Sequence, residues 1–89
     1  MDLLIKLNLK QGWEAWKQHF DAHSTVRSAA CDESRTVAVR VDESQALVLV
    51  YDAKMDVMGA MFSSAEFQQL TEPFVESHEV FVVEPLPAP

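Results

Sequence analysis

The sequence predicts an α+β fold of four strands and two helical regions in the order β-α-β-β-α-β. Three observations carry that prediction. Apolar and polar residues alternate along the first ten positions, aromatic residues then recur at helical spacing after Gly12, and two valine-rich runs flank a short polar break.

Leu3, Ile5, Leu7 and Leu9 alternate with Lys6, Asn8 and Lys10, the period-two pattern of a strand with one buried face. Gln11-Gly12 breaks the pattern and admits an amphipathic helix over Gly12 to Arg27. Trp13, Trp16, Phe20 and Arg27 share one face of it, with His23 and Ser24 between, while Glu14, Gln18 and Asp21 face away. Gly12 is a weak cap because it brings no side-chain oxygen to the first amides. From Ser24 onward the Ser, Thr and Ala content predicts a bend or restart, and Cys31-Asp32-Glu33-Ser34 reads as polar connection.

Arg35 to Val41 places Val37, Val39 and Val41 on one face and Thr36, Ala38 and Arg40 on the other. Asp42 to Gln45 is a polar turn, and Ala46 to Tyr51 is a nearly uniform apolar strand, so the pair reads as an antiparallel hairpin. Helical spacing returns at Val57, Met58, Met61 and Phe62. Ser63-Ser64-Ala65-Glu66 then fits a capping box with Ser63 as cap, opening a second short helix that buries Phe67 and Leu70 and stops before Pro73. Glu79 to Val83 is the last strand. Residues 1–84 are expected to form one domain, followed by a proline-rich tail over 85–89.

With right-handed crossovers, this order gives a ferredoxin-like arrangement: an antiparallel four-stranded sheet with both helical regions on one face. The third and fourth strands are apolar on both sides, and the second carries a full valine face. One sheet face is therefore left uncovered, and an apolar face of that kind marks an interface. The expected partner is a second copy, giving a homodimer through the sheet face.

Composition narrows the function classes. The formal net charge of −7 comes without a Lys/Arg stripe, which argues against nucleic-acid binding. Apolar content of 48% with no run long enough to span a bilayer argues against membrane insertion. Cys31 stands alone, so no intramolecular disulfide can form, and the N-terminus lacks the apolar core of a signal peptide. A cytoplasmic location is the expectation.

The helical pattern W-x-x-x-F-D-x-H-x-x-x-R, formed here by Trp16, Phe20, Asp21, His23 and Arg27, resembles small uncharacterised members of the dimeric α/β-barrel superfamily, the antibiotic-biosynthesis-monooxygenase-like proteins. The resemblance runs through the valine-rich hairpin to FSSAEFQQL, which is similar to the family's F-x-x-S-x-E-hydrophobic segment. It implies two ferredoxin-like subunits whose sheets face each other as a barrel, each with a cleft between sheet and helices. Activities in that superfamily range from cofactor-free quinol-type monooxygenases to haem-degrading enzymes and members with no known activity, so fold alone does not decide function. The haem-degrading members share an Asn on the first strand, a Trp on the second helix and a His shortly after. Asn8 matches the first, but the second helix has no Trp and His78 falls too late, which speaks against haem degradation. Gln11-Gly12 also replaces the Asp or Tyr that opens the first helix of relatives.

His23 and Arg27 lie four apart and therefore stack on one helix face beside Trp16 and Phe20. An imidazole and a guanidinium next to aromatics suit an anionic or phenolic ligand, with His23 as the candidate general base. The competing structural reading pairs Arg27 with Asp32 or Glu33 and bonds His23 to a backbone carbonyl. Tyr51 and Asn8 complete the ligand-binding candidates, Tyr51 either aiming its hydroxyl into the cleft or bonding it to backbone as a buried structural group. Met55, Met58 and Met61 read as core or as an adaptable apolar lining. His19 and His23 have the spacing of helical zinc ligands, but no Cys or third His completes a set, so no metal is expected, and no cofactor either. The sequence thus supports three functions: a dimer binding a small apolar or aromatic molecule in the cleft, a cofactor-free monooxygenase or isomerase in the same place, or a structural or regulatory homodimer without ligand.

Overall fold

β1 (Asp2–Leu9) occupies the middle of the sheet, paired antiparallel to β3 (Gln45–Val50) on one side and to β4 (Val75–Val83) on the other. β2 (Val37–Asp42) pairs antiparallel to β3 at the far edge, giving the order β2-β3-β1-β4. The structure, a computed structural model, describes residues 1–84, and the tail expected over 85–89 lies outside the described residues. Element order and strand order are both compatible with the ferredoxin-like arrangement.

Register converts the alternation into two distinct sheet faces. Leu3 sits opposite Val50, Ile5 opposite Val48 and Leu7 opposite Ala46. These side chains point to one side, where Trp16 of α1 (Trp13–Ala22) and Met58 of α3 (Met55–Ser63) join them in a single core cluster. Both helical regions therefore cover the same face. The opposite face carries rows of matched side chains. Phe81, Leu4, Leu49 and Val37 form the first row, and Glu79, Lys6, Leu47 and Val39 the second. Ser77, Asn8 and Gln45 form a polar row at the end, joined by hydrogen bonds of 2.8 Å (Asn8 to Ser77) and 3.2 Å (Gln45 to Asn8). Among the described residues nothing covers this face, and Val37, Val39 and Phe81 are 42–47% exposed.

The first helical region breaks where the composition shifts. α1 stops at Ala22, His23 takes a non-helical conformation, and α2 (Ser24–Ser28) restarts. Gly12, at φ 90°, occupies backbone space that only glycine enters without strain. Its missing cap oxygen is replaced from across the fold: the Glu43 carboxylate accepts from the Trp13 amide at 3.3 Å, while its other oxygen accepts from Arg40 at 2.6 Å. Asp42 closes the same turn by accepting from both the amide and the hydroxyl of Ser44. Those bonds hold its carboxyl below the usual aspartate range.

Several sequence expectations are corrected. Cys31 is buried rather than lying in a solvated connection, because the Ala30 carbonyl accepts from Lys54 at 2.7 Å and the Asp32 amide donates to Tyr51 at 2.9 Å. A 3₁₀ turn over Glu33–Arg35 follows, so β2 starts two residues later than the expected Arg35. The second cap is Ser64, not Ser63. The Ser64 hydroxyl oxygen accepts from the Phe67 amide and opens α4 (Ala65–Thr71), while the Ser63 hydroxyl donates back to the Gly59 carbonyl. Leu70 and Met55 are exposed rather than packed. β4 begins at Val75, four residues before the expected start at Glu79. As an edge strand it tolerates the polar run Glu76-Ser77-His78-Glu79, which hides it from a pattern search.

Candidate functional site

The two helical regions leave a cleft above the sheet. Ile5, Val48 and Val50 form its floor, Trp16, Phe20 and Val26 one wall, and Met58, Met61, Phe62 and Phe67 the other. Its volume is ≈ 100 Å³, and the lining is almost wholly apolar. Val26, half exposed, marks where it opens to solvent. His19, His23, Arg27 and Thr71 supply the polar groups in the lining.

One wall is an aromatic ladder built by helical spacing. Trp13 and Trp16 have ring centroids 5.4 Å apart, and Trp16 and Phe20 5.0 Å apart. The Arg27 guanidinium caps the ladder 3.5 Å from the centre of the Phe20 ring. Arg27 is then fixed in place. Its Nε and one terminal nitrogen donate to Glu33 at 2.8–3.2 Å, and the other donates to the Phe20 carbonyl at 2.5 Å. That pairing is one of the two partners expected for Arg27 in the structural reading, and it neutralises the guanidinium at the edge of the cleft.

The imidazoles are also constrained. His23 Nδ1 lies 2.8 Å from the His19 carbonyl oxygen. A carbonyl only accepts, so Nδ1 carries a proton, and Nε2 is the ring nitrogen left outside that bond. The His19 ring stacks on Phe74 (centroids 4.6 Å apart) and meets His23 at a tilt of 50° (4.4 Å). Burial lowers its pKa below 6.5, with His23 and Arg27 adding to the effect. On the opposite wall, the Thr71 hydroxyl donates to the Phe67 carbonyl at 3.0 Å, which leaves its oxygen lone pairs as acceptors.

The structure brings together Trp16, Phe20, His23 and Arg27 and separates the other two sequence candidates. Asn8 lies on the uncovered sheet face, bonded to Ser77 and Gln45. Tyr51 follows inward-facing Val50 and so turns outward, beneath Arg35, whose guanidinium sits 4.2 Å from its ring centre. Neither residue lines the cleft. Sequence reasoning passed over Val26, Phe67 and Thr71 as lining, although Phe67 and Thr71 are four apart on α4 and so share a face. Burial raises the pKa of the Cys31 thiol, which disfavours the nucleophilic thiolate. Among the described residues, no group of three His, Cys, Asp or Glu side chains could hold a metal ion. No described helix is long and apolar enough to cross a membrane.

No protein-family model matches the chain, and no curated protein sequence matches it. These features define a class: a small α+β chain with an apolar cleft on one side of its sheet and, among the described residues, an uncovered face on the other.

Proposed function

We propose that this chain is a homodimeric protein of the dimeric α/β-barrel type that binds a small apolar or aromatic molecule in the cleft between its sheet and helices. The observation that carries this reading is the cleft itself. An interior normally closes on its side chains, yet here ≈ 100 Å³ stays open among Trp16, Phe20, Met58, Met61 and Phe62. Such concave apolar space with a few convergent polar groups is what small-molecule sites share. The bare sheet face supports the dimer. Beside its apolar row, Lys6 lies directly opposite Glu79, a cation and an acid that a two-fold axis can pair across copies.

The test is a thermal-shift series with single-ring aromatic compounds on the wild type and on Val26→Trp. Val26 is exposed at the mouth, so the larger ring fills the opening without entering the core. Stabilisation of the wild type that Val26→Trp abolishes supports the proposal. A series in which no compound stabilises the wild type overturns it.

A second reading places chemistry in the same cleft, as a cofactor-free monooxygenase or isomerase with His23 as base. The observation in its favour is the Nδ1 bond to the His19 carbonyl, which fixes the tautomer that leaves Nε2 able to take a proton.

A further inference from the structure

We infer that the ligand of this cleft is a neutral single-ring aromatic molecule carrying one hydrogen-bond donor, of the phenol or aniline class, in preference to an aromatic carboxylate. The inference rests on the binding reading above and deepens it.

Size limits the ligand to one ring. An apolar cavity of about 150 Å³ accommodates benzene. The present cleft, at ≈ 100 Å³, admits a single ring only with part of it in the mouth beside Val26. Fused ring systems exceed it.

Charge disfavours an anion. Arg27 retains N–H groups, but Glu33 balances its charge through three short contacts. A carboxylate placed there meets Glu33 as well as Arg27 and gains little net attraction. His19, kept neutral by burial, by His23 and by Arg27, adds no compensating charge at neutral pH. An anionic ligand would thus lose its hydration without a matching cation.

Hydrogen bonding favours a donor. The two polar walls have committed their protons to backbone carbonyls, His23 Nδ1 to His19 and Thr71 Oγ1 to Phe67. What these two lining residues leave uncommitted is the Thr71 hydroxyl oxygen, an acceptor, and His23 Nε2, an acceptor in the neutral tautomer that the Nδ1 bond selects. A ring bearing O–H or N–H satisfies one of these while its apolar body fills the methionine and phenylalanine lining.

The test is an NMR chemical-shift titration of the wild type, Thr71→Val and His23→Phe with phenol, toluene and benzoate. The readout is the ratio of phenol to toluene affinity, which cancels the difference in ring burial. One net hydrogen bond corresponds to about fivefold. That ratio is expected to fall about fivefold in whichever variant removes the acceptor, with benzoate the weakest ligand of the wild type. Thr71→Val is nearly isosteric on a part-exposed helix, so the comparison survives even if His23→Phe does not fold. An unchanged ratio in both variants, or benzoate binding the wild type as tightly as phenol, overturns the donor assignment while leaving the cleft reading intact. If none of the three compounds binds, both fall.

Discussion

Arg27 lies flat on Phe20, its guanidinium carbon 3.5 Å from the ring centre, while the same group is forked onto Glu33. One side chain thereby ties α2 to α1, to the aromatic ladder and to the 3₁₀ turn before β2. The ion pair is largely shielded, with 12% and 22% of the two side chains exposed. Breaking a shielded pair strands its partner, which costs more than the pair itself contributes. Arg27→Ala is expected to destabilise the chain by roughly 2–3 kcal/mol. Arg27→Lys should fall between, since it keeps charge but loses the planar fork and the stacking. Urea denaturation of the three proteins checks the order; equal midpoints would refute the role.

The Glu43 carboxylate works at a distance of thirty residues in sequence, covering the start of α1 from the β2–β3 turn. A missing cap costs about 1 kcal/mol, so Glu43→Ala should destabilise by about that amount. Gly12→Ala should cost more. A Cβ there meets a Glu43 carboxylate oxygen, and the residue is held at φ +90°. About 1–2 kcal/mol for the backbone strain is therefore added to the lost cap contact. Because both substitutions disturb the same contact, the double variant should be less destabilised than the sum of the singles. Thermal melts of the set decide it, and strict additivity would separate Glu43 from the helix start.

How far such contacts could be read in advance depended on their range. Alternation placed β1 and the hairpin because each strand has one strongly apolar face. The same alternation argues against Asn8 as a cleft residue, since Leu7 and Leu9 point inward and Asn8 therefore cannot, yet the match to a first-strand Asn keeps it among the ligand candidates. Tyr51 was harder. Ala46 to Tyr51 is apolar on both faces, so composition carries no sign of which side faces the cleft. The burial of Cys31 depends on backbone bonds to Tyr51 and Lys54, long-range partners that no local pattern contains. Within the cleft, the wall contributed by α1 was legible from aromatic spacing. The opposing wall was less so, because the break at Ser64 fell one position from where the capping signal placed it.

The row of Phe81, Leu4, Leu49 and Val37 supplies a third prediction. In an isolated subunit Phe81 is 47% exposed, so Phe81→Glu should change folding stability by no more than about 0.5 kcal/mol. In a sheet-to-sheet dimer the same change buries a carboxylate against an apolar row. The expected outcome is a wild type that sediments as a dimer at micromolar concentration and a Phe81→Glu variant that sediments as a folded monomer. A monomeric wild type, or a variant that remains dimeric, would remove the sheet face as the interface.

His19 gives the chain a pH dependence whose sign follows from its surroundings. Burial, His23 and Arg27 all lower its pKa in the folded state below the 6.5 of the unfolded chain. Between those two values the unfolded chain binds more protons, so stability rises with pH across that interval. The favourable state of affairs is complete above pH 6.5 and is lost as pH falls through the folded-state value. Glu33 does not reverse this, since its charge is already committed to Arg27. His19→Phe retains a ring to stack on Phe74 but removes the titrating group. Urea denaturation from pH 8 to pH 5 should therefore show the wild type losing stability more steeply than His19→Phe below pH 6.5. Parallel curves would mean that His19 titrates alike in both states, and its packing against Phe74 and His23 would then not shield it from solvent.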